Sequence, residues 1–120
     1  FIKGILCNFL VCIAVWISFA AKEVVSKIIG LFFPIMMFVL CGFEHSIANM
    51  YYISSGLFAK TNATYVQAAT DAGVDLTNLT WGNFFGKNLL PVTLGNIVGG
   101  AICVGCAYWF IYLRKAKKAA

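Results

Sequence analysis

Apolar positions run almost unbroken through three stretches of this chain, and polar residues gather between and inside them in a way that predicts membrane-spanning helices. The first stretch, over about 5–21, is interrupted only by Asn8 and Ser18. The second, over 25–58, is too long for one ordinary crossing, because the part from Ile28 to Leu57 alone would extend about 45 Å as a continuous helix against a hydrocarbon core of about 30 Å. It must tilt strongly or break. In its middle lies Gly42-Phe43-Glu44-His45-Ser46-Ile47-Ala48-Asn49, a polar island with a carboxylate and the single histidine of the chain. Gly42 suits the end of one helix, and Ser46 and Asn49 offer side chains to cap a helix that restarts, so the spacing predicts a break near 42–48. The third stretch covers about 89–113, with Pro91 suited to a first helical turn. Broken backbone at membrane depth persists only where protein buries it or where it lines a polar cavity, which points to a substrate path.

Composition agrees with this pattern. Of the 120 residues, 62% are hydrophobic and 11% charged, and the mean hydropathy is +0.88, too little charge for a water-facing surface. The expected fold class is an all-α integral membrane protein with three transmembrane spans, the middle one broken, in one domain over 1–120. The absence of an initiator Met leads us to expect sequence upstream.

The net charge of +5 would ordinarily raise nucleic acid as a partner. Its placement argues otherwise. Arg114, Lys115, Lys117 and Lys118 crowd a basic tail, 114–120, directly after the third apolar stretch, the pattern of a cytoplasmic C-terminus. Three crossings then put Lys22 and Lys27 inside and the 59–88 connection outside. The lipid bilayer is the partner that this charge distribution fits.

The cysteines at 7, 12, 41, 103 and 106 are odd in number and lie in apolar segments, so no disulfide framework follows. Cys103 and Cys106 lack the second pair or histidines of a zinc site, and we expect neither metal nor cofactor. Gly95, Gly99 and Cys103 recur every fourth residue as a small-residue face for close helix packing. In the outer connection, Tyr65 to Ala69 predicts a short interfacial helix capped by Asn62 or Thr64, with Trp81, Phe84 and Phe85 seating the next approach.

Asn8 has two readings, interhelical hydrogen bonding or a polar position on a pore wall. For His45 the membrane setting favours function, because an ionisable residue at that depth is costly and ordinarily faces a bundle interior or an aqueous path. A restarted helix presents backbone N–H groups and the positive end of its dipole, a combination that favours an anion. Glu44 would repel that anion, so we expect it to turn aside into hydrogen bonds, with Asn49 as one partner. Two readings from other classes stand beside transport: a haem-binding membrane subunit using His45 as an axial ligand, and a non-transporting membrane anchor. The first has no second histidine and the second leaves the polar break without a purpose.

Three segments together carry a family resemblance: Cys7-Asn8 with Val11-Cys12-Ile13-Ala14-Val15-Trp16, then Gly42 to Met50, then Asn88-Leu89-Leu90-Pro91-Val92-Thr93-Leu94-Gly95-Asn96. In this order they resemble the C-terminal half of the formate/nitrite transporter family. The resemblance implies an aquaporin-like six-helix protomer of two inverted three-helix repeats, of which this chain is one, usually assembled as a homopentamer in the cell (inner) membrane with one pore per protomer. It implies a non-enzymatic channel or transporter for small monovalent anions, formate foremost, with nitrite and hydrosulfide as the other candidates. Residue by residue, it makes His45 the central pore histidine, Asn8 a polar residue of the same path, Val11 part of the cytoplasmic constriction and Phe38 part of the periplasmic one. Glu44, Ser46 and Asn49 would support the broken-helix loop.

Overall fold

The structure, a computed structural model, describes residues 1–114. The described residues are helical and connecting segments, with no strand among them. Helix α1 (Ile2–Ala20) is followed by α2 (Val24–Leu40), α3 (Ser46–Ala59), α4 (Ala63–Asp71) and the long α5 (Trp81–Leu113). By length and composition α1 and α5 suffice to cross a membrane, and α2 is a shorter apolar helix. The basic residues Lys115, Lys117 and Lys118, read above as a cytoplasmic tail, lie outside the described residues.

Two compact units can be separated, Phe1–His45 with the described residues from Val92 onward, and Ser46–Pro91. In the first, α1 buries a narrow stripe, Gly4, Cys7 and Ala14, at the spacing of one helical face. That stripe meets the glycines of α5. A Cβ built on Gly99 would fall on the Ile5 carbonyl, one on Gly95 on the Phe1 carbonyl, and one on Gly4 2.8 Å from the Val92 carbonyl oxygen. Backbone therefore packs on backbone, which only residues without side chains permit. On its other side α1 meets α2, where a Cβ on Gly30 would come 2.7 Å from Ile17. At the far end of the α1/α5 seam Trp16 lies 4.1 Å from Tyr108, ring centre to ring centre, and Tyr108 stacks on Tyr112 at 5.7 Å, an arrangement suited to a headgroup belt.

Cys103 does not share the seam. It is exposed, whereas Val104 is buried. The cause is the winding of α5, which passes through π-helical turns at Val98–Cys106 and again at Trp109–Leu113. A π-turn closes on the fifth residue, so the inward positions run 95, 99 and 100, then 104, and the fourth-residue spacing read from the sequence slips out of register.

In the second unit α5 starts at Trp81, ahead of the start near Leu89 expected from hydropathy. Thr80 caps it, accepting the Asn83 backbone N–H at 3.2 Å. Pro91 consequently sits in the helix interior, just beyond a π-turn over Phe84–Leu89. The ordinary ladder has already given way there, so the missing proline N–H disrupts less. Asn62 caps α4 by accepting from Thr64 N–H at 2.9 Å. Lys60 donates to the carbonyls of Leu76 and Leu79 at 2.8 and 3.0 Å and so fastens the connection between α4 and α5 to the end of α3. Phe58, Trp81, Phe84 and Phe85 form one aromatic cluster.

Large apolar side chains stay exposed along every long helix, among them Phe19, Phe32, Phe33, Leu40 and Phe110. Such a surface belongs against lipid or against further helices and not against water.

Candidate functional site

The break expected from the polar island forms where α2 stops at Leu40. Gly42 adopts φ 62°, the left-handed conformation that costs other residues about 1–2 kcal/mol. Around it the backbone closes a Schellman motif, with Phe43 N–H donating to the Phe38 carbonyl and Gly42 N–H to the Val39 carbonyl, each at 3.0 Å. The carbonyls of Phe38 and Val39 are thus satisfied by the chain that leaves the helix. The next helix, α3, begins at Ser46, whose side chain is buried.

His45 stands at the end of this turn, half-buried, its ring centre 6.0 Å from that of Phe38 and inclined by 32°. Phe38 is half-buried too. An aromatic face thus lies against the single imidazole.

Asn96 ties the turn to its surroundings. This residue, buried on α5, donates through its amide nitrogen to the Gly4 carbonyl at 2.9 Å and to the Glu44 carbonyl at 3.0 Å. Its own backbone carbonyl accepts from Asn8 Nδ2 at 2.7 Å. One side chain therefore joins α1, α5 and the residue before His45. Of the two readings of Asn8, the bond to Asn96 is the interhelical one; Asn8 also abuts Gly100, where a Cβ would collide with its amide.

Val11 lies on α1 one turn beyond Asn8, half-buried. The carbonyl of Glu44 is held by Asn96. Asn49 donates from Nδ2 to Asn88 Oδ1 at 2.8 Å, linking α3 to α5 within the second unit. The structure thus brings together Phe38 and His45 directly, and Asn8 and Glu44 through Asn96, in the first unit, while Ser46 and Asn49 belong to the second. Asn96 was missed as a site residue by sequence reading. Its signal was present as a lone amide beside Gly95 in an apolar helix, the same signal that drew attention to Asn8.

A family model described as formate/nitrite transporter matches residues 1–110. The chain belongs to the formate/nitrite transporter family. It is 46% identical over 115 residues to the "Probable formate transporter" of Methanothermobacter thermautotrophicus, covering 96% of this chain and 36% of that protein. It is 45% identical over 114 residues to formate channel FocA of Escherichia coli K12, covering 93% of this chain and 40% of FocA. Among solved structures, a pentameric formate channel with formate bound superposes with a TM-score of 0.79 at 45% identity, over 93% of this chain and 45% of that one. The chain thus spans less than half the length of these relatives. These members of the formate/nitrite transporter family are channels and transporters, membrane proteins and not enzymes.

Proposed function

We propose that this chain forms one of two inverted three-helix repeats in an aquaporin-like protomer that passes small monovalent anions, formate foremost, across the cell (inner) membrane. On this reading α1, the broken pair α2 and α3, and α5 are the three spans, and the protomers assemble as a homopentamer. The C-terminus is cytoplasmic, as the basic residues from Arg114 to Lys118 favour. The observation that carries the proposal is the glycine-terminated break with His45 against Phe38, in a chain similar over 93% of its length to a formate channel.

His45 is the central residue of the path. Asn8 is a polar position along it, Val11 and Phe38 are apolar constrictions on its cytoplasmic and periplasmic sides, and Glu44, Ser46 and Asn49 support the loop. Treated as a carboxylic acid of pKa ~3.9, formate would take a proton from an imidazolium of ~6.5 in water only at a cost of about 3.5 kcal/mol. Between apolar constrictions, desolvation favours the neutral acid over the formate anion and narrows that gap. A ring N–H of His45 then passes its proton to a carboxylate oxygen, and the neutral acid crosses the apolar slit.

Reconstituted in proteoliposomes together with a first repeat, the protein should take up more formate as external pH falls between about 8 and 5, the range in which an imidazole titrates. His45→Phe should give a flat profile, and Glu44→Gln should lower yield or flux while keeping the pH response. A His45→Phe protein that retained the wild-type profile would remove His45 from the proton step. Equal formate flux by the 120-residue chain alone would end the half-protomer reading. Nitrite and hydrosulfide, measured in the same vesicles, rank the substrates.

A further inference from the structure

The second unit contains a pocket of about 370 Å³ between α3, the outer connection and the start of α5. Its apolar lining is Ile53, Leu79 and Phe84, and its polar lining is Asn78, Thr80, Asn83, Lys87 and Asn88. No carboxylate lines it, and Lys87 supplies its one charge.

Three of the polar side chains are left with donors to offer. Asn88 Oδ1 accepts from Asn49, which leaves the amide N–H groups of Asn88 as what it can offer. Thr80 Oγ1 accepts the Asn83 backbone N–H, which leaves its hydroxyl hydrogen free to donate. Asn83 spends its own amide nitrogen on the Asn78 carbonyl at 3.0 Å. Lys87 brings an ammonium. Asn83 keeps its Oδ1 acceptor, whereas Asn88, Thr80 and Lys87 offer donors, and these three side chains together suit an oxyanion. It is also held in shape, because Lys60 clamps the Leu79 carbonyl and Thr80 fixes the first turn of α5.

We propose that this pocket captures a small carboxylate at the outer face, with Lys87 as the electrostatic anchor and Asn88 and Thr80 as hydrogen-bond donors. This rests on the orientation given under Proposed function, which puts the 59–88 connection outside. Asn49 extends the argument inward. The same asparagine that fixes the Asn88 amide belongs to the Gly42–Asn49 segment of the break, so a single hydrogen bond presets the donor and anchors the restarted helix.

The test has a binding arm and a flux arm, both on the full-length protein in phosphatidylcholine. Solid-state NMR with 15N-asparagine should show the Asn88 side-chain amide moving on titration with sodium formate. The shift should be lost in Lys87→Gln and kept in Lys87→Arg. In flux measurements Lys87→Gln should raise the KM for external formate about threefold, the size of effect an exposed ion pair gives. The maximal rate should be unchanged and the difference should vanish near 1 M salt, where the screening length falls to about 3 Å. An Asn88 amide indifferent to formate, or one equally responsive without Lys87, overturns the proposal. So does a response to added phosphatidylglycerol with none to formate, which would make the occupant a lipid headgroup. Absence of flux in every variant would instead defeat the transport reading, and the binding arm would still decide the pocket.

Discussion

Replacing Asn96 by leucine would leave the carbonyls of Gly4 and Glu44 without the amide that now serves both. An interhelical side-chain bond in a membrane is worth about 0.6 kcal/mol on average, and this substitution removes two such bonds at once. Asn96→Leu should therefore lower the midpoint of thermal unfolding in detergent. Asn96→Asp should lower it further, since a carboxylate would face two carbonyl oxygens. A leucine variant as stable as wild type would mean that the knot at Asn96 is incidental. At this scale the sequence was partly readable. Gly42 announced the break because only glycine adopts a left-handed conformation at little cost. His45 was conspicuous as an ionisable group in an apolar run. Asn96 stayed hidden because an uncharged amide does not show on its face whether it bonds to one helix or two.

Helices α1 and α5 meet through glycine, and the meeting makes a sharp distinction between neighbouring small residues. Gly99→Leu should abolish the folded species, because even a Cβ there would occupy the Ile5 carbonyl. Cys103→Leu should be tolerated, because that side chain is exposed. Size-exclusion profiles in detergent would reveal whether both variants behave alike, which would contradict the described seam. Hydropathy could not foresee the distinction, since a π-turn is a property of hydrogen-bond closure and not of side-chain polarity. For the same reason the early start of α5 at Trp81 was invisible, although its Thr80 cap was there to be read. Serine within the apolar helices causes no break, as Ser18 donates to the Val15 carbonyl at 2.6 Å and so satisfies itself locally. In the connection between α4 and α5, the Asp75 carboxylate accepts the Thr77 N–H at 2.8 Å. Hydrogen bonds from Thr77 hold its pKa below the usual 3.8, with nearby Lys60 adding to them. A depressed carboxylate stabilises the folded turn fully above its unfolded pKa and loses that contribution as pH falls through the lower folded value. Protease resistance of the 72–80 segment should hold from neutral pH down to about 4 and decline below it, and Asp75→Asn should remove the decline. A pH-independent digest of both proteins would count against this.

At the scale of the whole molecule, the exposed apolar surface and the two small packed units describe a chain built to be completed by lipid and by other helices. Membrane character was readable from composition, with 62% hydrophobic residues, and helical class from the length of the apolar runs. The six-helix protomer proposed above rests on resemblance and is not contained in any local pattern.

The Schellman turn at the end of α2 has one more consequence, which concerns cations. Unwound helix ends bind sodium or potassium where bare carbonyl oxygens converge. Here the carbonyls of Met37, Phe38 and Val39 are already occupied by the N–H groups of Cys41, Phe43 and Gly42. Three of the last four carbonyls are thus taken up by the chain's own backbone, so the terminus offers an alkali-metal ion few oxygens with which to replace its water. Formate flux should accordingly be the same whether sodium, potassium or a bulky organic cation accompanies the anion. A requirement for sodium, seen on ion replacement at constant pH and membrane potential, would place a cation site at a helix end that this turn leaves closed.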